Sequence, residues 1–131
     1  MTGLDTNVLV RYLVKDDPDQ AARAVPWVND CADQGVHCYL AQMVLCEMVW
    51  VLSSCYDRSR QEIASTLETL LETEQIEVEG VDRVRSAPAS FATGPGDFAD
   101  YLIGRGNRDA SCDTTVTFDR RLATHADFTL L

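Results

Sequence analysis

The chain has 131 residues, 46% hydrophobic and 24% charged, a composition that builds a buried core and excludes intrinsic disorder. Its 21 acidic residues against 11 basic ones give a formal charge of −10, which excludes bulk attraction to nucleic acid or anionic membrane as the basis of function. No apolar run reaches the ~18 residues of a membrane span, the N-terminus lacks a secretion-signal pattern, and five cysteines without a C-x-x-C pair argue against a disulfide framework. The expectation is one reduced, cytoplasmic domain over residues 1–131, with no membrane partner.

In chain order, a short strand ends at Asp5 and runs into a helix from Thr6 to about Lys15, with Val8, Leu9, Tyr12 and Leu13 inward. Asp17-Pro18 caps a second helix that Gly35 stops and that Pro26 should kink or split. His37–Leu40 reads as a strand. Met43–Leu52 is apolar on every side, which predicts a helix at the heart of the domain. Ser59-Arg60-Gln61-Glu62 has capping-box spacing and opens an amphipathic helix to about Thr73. Ile76–Val78 alternates as a strand, residues 81–92 read as a helix containing Pro88, and Gly94-Pro95-Gly96 is a turn. A helix follows from Asp97 to about Arg105, then a β-branched strand over Thr114–Phe118 and a last strand at Phe128–Leu131. Strands alternating with helices imply an α/β domain with a parallel sheet.

Five acids sit where chemistry could be done. Asp5 and Asp119 each end a strand, and strand ends border the ligand crevice of an open parallel sheet. Both also suit a helix N-cap. Glu47 is the only charge between Met43 and Leu52, so a buried Glu47 would need a cation or a proton. Asp97 and Asp100 share a face at a helix head, where they also answer the helix dipole. Carboxylates gathered without Cys or His suit Mg²⁺ or Mn²⁺, ions that serve phosphoryl chemistry.

Leu4-Asp5-Thr6-Asn7-Val8-Leu9-Val10, Glu47 in its apolar helix, Asp97-Phe98-Ala99-Asp100-Tyr101-Leu102-Ile103 and Thr117-Phe118-Asp119-Arg120-Arg121-Leu122 together resemble the PIN-domain family, most of all its VapC toxins. The resemblance covers nearly the whole chain. It implies a Rossmann-like three-layer α/β/α domain with four to five mostly parallel strands, acting as a Mg²⁺- or Mn²⁺-dependent endoribonuclease with one or two ions. It also implies a homodimer, a VapB-type antitoxin as inhibitor, and structured cellular RNA, particularly tRNA, as substrate. Asp5, Glu47, Asp100 and Asp119 match the family's metal-binding acids, Asp97 a further acid, and Thr6, Asn7 and Thr117 their polar neighbours. Ser111 departs from the pattern, because relatives carry glycine before the cysteine that is Cys112 here.

Only Lys15 is lysine among the basic residues, and Arg105, Arg108, Arg120 and Arg121 lie close after the acids, where arginine forks could meet RNA phosphate. They serve equally as solvated surface charge or as a dock for an acidic antitoxin segment. Asp5-Thr6-Asn7-Val8 also resembles the start of haloacid-dehalogenase-type phosphatases, with Asn7 in place of the second acid. His37 and His125 could form a metal-independent acid–base pair, and Gly94–Ala99 fits the letters of a dinucleotide loop but follows no strand. A non-catalytic interaction module is the remaining alternative.

Overall fold

The alternation of strand and helix read from the sequence runs through a computed structural model that describes residues 1–131. The elements are β1 (Thr2–Gly3), α1 (Thr6–Val14), α2 (Pro18–Asp33), β2 (Cys38–Leu40), α3 (Gln42–Tyr56), α4 (Arg60–Glu72), β3 (Ile76–Val78), α5 (Val81–Arg85), α6 (Ala87–Thr93), α7 (Phe98–Asp109), β4 (Thr115–Thr117) and β5 (Phe128–Leu130), with a 3₁₀ turn at Arg120–Leu122. All five strands are parallel. Their pairing falls into two groups, β1-β2-β3 and β4-β5, rather than one continuous ladder. Thr2 is in register with Cys38 and Leu40 with Val78 in the larger group, and Thr115 with Phe128 in the smaller.

Local chemistry accounts for most boundaries. Asp17 accepts from the Gln20 N–H with Pro18 in the first turn, and Ser59 and Glu62 form a reciprocal capping box. One apolar cluster then joins the layers, with Leu9 from α1, Leu40 from β2, Met48 from α3, Leu67 from α4 and Phe98 from α7 fully buried. Each such side chain contributes roughly 1.5–3 kcal/mol by leaving water.

Four expectations are corrected. Helix α2 passes through Pro26 unbroken, and Pro26 and Ala22, whose carbonyl loses its donor, both lie on the exposed side where water can replace the bond. The helix read over 81–92 is two helices, because the Ser86 hydroxyl donates to the Arg83 carbonyl at 2.6 Å and closes α5 before Pro88 enters the first turn of α6. Helix α3 is not enclosed, since Met43 and Trp50 are 74% and 65% exposed on the face that also carries Glu47. Helix α7 runs to Asp109, four residues beyond expectation, and Asp109 pairs with Arg105 one turn back at 2.9 Å. No helix is long and apolar enough to cross a membrane.

Candidate active site

Asp5 leaves β1 in an extended conformation and caps α1, its Oδ1 accepting from the Thr6 N–H at 2.7 Å. Capping and site geometry thus use the same carboxylate. Thr6 is buried, and its hydroxyl crosses to α3 and donates to Glu47 Oε2 at 2.6 Å. Glu47 itself is exposed, which overturns the expectation that burial forces a cation on it. The hydroxyl of Thr6 fixes Glu47 instead. Asn7 is exposed beside Asp5, on the wall of a groove of about 540 Å³ between the end of β1 and helices α1 and α2, with Arg23 and Trp27 on the far wall.

A second group of acids forms around the turn before α7 and the turn after β4. The Gly96 N–H donates to the Tyr101 hydroxyl at 2.9 Å, and a Cβ on Gly96 would lie 2.7 Å from Leu122 Cδ2, so a larger residue here would have to push Leu122 aside. Arg60, at the start of α4, clamps the same turn by donating to the carbonyls of Phe91, Gly94, Pro95 and Gly96 while its guanidinium lies 4.7 Å from the Phe91 ring centre. Asp97 then caps α7 in an extended conformation, and its N–H donates to Asp100 Oδ2 at 2.8 Å, folding Asp100 back towards the cap. Across from it the Asp119 N–H donates to Thr117 Oγ1 at 3.0 Å, which fixes the turn that presents Asp119.

Arg121 binds this group together. Its Nη2 lies 2.7 Å from Asp119 Oδ2, 3.6 Å from Asp97 Oδ2 and 3.9 Å from Asp100 Oδ2. The side-chain hydrogen bonds of Arg121, and then its backbone N–H, hold the Asp119 carboxyl below the usual carboxylate range, and the same partnership raises the Arg121 guanidinium. The acids are therefore brought together as two groups, Asp5 with Glu47 and Asp97 with Asp100 and Asp119. No hydrogen bond or ion pair joins the groups, and no three acids, histidines or cysteines converge as a ready cage for one ion.

The other candidates are placed differently. Arg105 pairs with Asp109 and Arg108 with Asp127 at 2.8 Å, so of the four arginines read as RNA contacts only Arg120 has no carboxylate partner. His37 pairs with Glu77, and His125 packs on Tyr101 and Phe128, its Nδ1 accepting from the Asp127 N–H. Neither histidine touches a candidate acid. Sequence reasoning missed Arg60, for which spacing holds no signal, and the place of Arg121 among the acids, for which its distance of two residues from Asp119 was the signal.

All five side chains are carboxylates, the donor chemistry that a hard divalent cation takes, and as placed the guanidinium of Arg121 stands where three of them gather. Comparison with known proteins adds two findings. Residues 4–127 match the family model described as PIN domain. A protein of Aquifex aeolicus (strain VF5) named "VapC ribonuclease" is 26% identical over 121 residues, covering 92% of this chain and 89% of its own length.

Proposed function

We infer the function of this chain from the family to which it belongs, the PIN-domain family: it is a VapC-type nuclease, with residues 1–131 acting as one PIN domain. On this reading it is an endoribonuclease toxin that needs Mg²⁺ or Mn²⁺, cuts single-stranded or loop regions of cellular RNA with tRNA foremost, and is neutralised by a VapB-type antitoxin. The observation that supports it best is the gathering of the five acids into two groups, Asp5 with Glu47 of α3 through Thr6, and Asp97 and Asp100 at the head of α7 with Asp119 after β4 through Arg121.

Asp5, Glu47, Asp100 and Asp119 would hold the one or two ions, with Asp97 beside them. When bound, such an ion polarises the scissile phosphate and makes water a stronger nucleophile. The chain's own residues prepare the ground. Thr6 pins one oxygen of Glu47 and leaves the other for a ligand, while its N–H orients Asp5. Thr117 steadies the backbone at Asp119, and Asn7 lines the groove beside Asp5 along which RNA can lie. Arg120, unpaired and exposed, is the best placed of the four arginines to answer a phosphate, because Arg105, Arg108 and Arg121 would first have to leave a carboxylate. Met43, Trp50 and Trp27 offer apolar surface to an antitoxin or to a second copy in a homodimer. The protein works in the cytoplasm on this reading.

Cleavage of a small-RNA pool tests the proposal, with Mg²⁺ or Mn²⁺, with EDTA, and with Asp5→Asn protein prepared identically. Discrete fragments bearing 5′-phosphate and 3′-hydroxyl ends are expected, because water rather than the ribose 2′-hydroxyl attacks. The rate should fall at least roughly 100-fold in Asp5→Asn, beyond the range typical of an outer partner of a metal ligand. Cleavage that survives EDTA, or 2′,3′-cyclic phosphate ends, would overturn it.

A further inference from the structure

In a chain of net charge −10, the Arg121 guanidinium stands where three carboxylates meet. Its Nε lies 3.1 Å from each Asp119 oxygen, and its Nη1 reaches the Pro95 carbonyl at 3.4 Å. Both oxygens of Asp119 are thus engaged by one fork, and the same fork leans on Asp97 and Asp100. A guanidinium and a divalent ion seek the same oxygens, and two cations within about 4 Å repel strongly where the dielectric is reduced. Nothing buries Arg121: its side chain is 48% exposed, so it can turn to solvent without opening the core.

We propose that Arg121 is a built-in counter-ion that keeps Asp97, Asp100 and Asp119 gathered and that a divalent ion must displace, so that metal affinity is set by competition with this side chain. The inference rests on the metal-dependent reading above and adds a regulation of that site which the acids alone do not imply. Arg121 acts through the carboxylates and is a positioning residue. The opposing role, an organiser that must stay in place for the acids to accept metal, predicts the opposite sign.

Calorimetric titration of the full chain with Mn²⁺ separates the two. Competition predicts a Kd at least roughly fivefold tighter in Arg121→Gln than in wild type, and an intermediate value in Arg121→Lys, which keeps the charge but loses the fork. Arg85→Gln removes the same charge from an exposed site without a carboxylate partner and should move the Kd less than about twofold. Circular dichroism reports folding, and if Arg121→Gln does not fold, Arg121→Lys decides. Equal or weaker Mn²⁺ binding in the folded Arg121 variants would overturn the competition and leave the metal reading intact. No Mn²⁺ binding by wild type or variant would overturn both.

Discussion

The two groups of acids are held by opposite means. Between Asp5 and Glu47 the link is a buried, neutral hydroxyl that donates one hydrogen bond and leaves the charge of both carboxylates unanswered. Around Asp97, Asp100 and Asp119 the link is an exposed cation that already answers much of theirs. The difference teaches that a fold can preorganise carboxylates either by fixing the chain that carries them or by lending them a charge. The first leaves room for an incoming cation, whereas the second requires an exchange.

That contrast can be attacked at several points. Thr6→Val keeps the shape of the Asp5 side but removes its hydroxyl, and initial rates of RNA cleavage should fall about 10- to 100-fold, the range for an outer partner of a metal ligand. A loss below threefold would mean that Glu47 does not depend on Thr6. Arg60→Ala attacks the other group from beneath, because it frees the carbonyls of the turn that carries Asp97. Thermal and urea unfolding should show a loss of roughly 1.5–3 kcal/mol, as for hydrogen bonds made by a charged donor. Unchanged stability would show that the turn holds its shape unaided. The smallest effect is expected at Ser111, which follows α7 with φ +69°, a left-handed conformation that suits glycine. Ser111→Gly should raise stability by about 1 kcal/mol or less, the relief of backbone strain minus the added chain entropy. A fall in melting temperature would show that the serine side chain has a use there.

Much of this arrangement is legible from short-range chemistry. Asp5 and Asp119 read as caps and are caps, the capping box at Ser59 forms, and the glycine expected by resemblance at position 111 marks a position with positive φ. Glu47 shows where such reading fails. An apolar helix predicts burial only if every face is covered, and the coverage of α3 depends on neighbours distant in sequence that leave Met43 and Trp50 in solvent. Arg121 shows a related limit. Its position just after the acids suggested a partner for phosphate, and the backbone carries it back onto Asp119, two residues away. Pro26 does not split α2 because a proline on the wet side of a helix can exchange its missing bond for water.

The split of the sheet has a bearing on the order of assembly. The strand that leads to Asp119 pairs with residues 128–130, only a short loop away, whereas the strand that leads to Asp5 must find residues 38–39 across α1 and α2. Closing the longer loop costs more chain entropy. Yet the shorter closure waits on residues made late, so a ribosome still short of Phe128 holds a nascent chain with Asp5 and Glu47 within reach of each other and Asp119 without its platform.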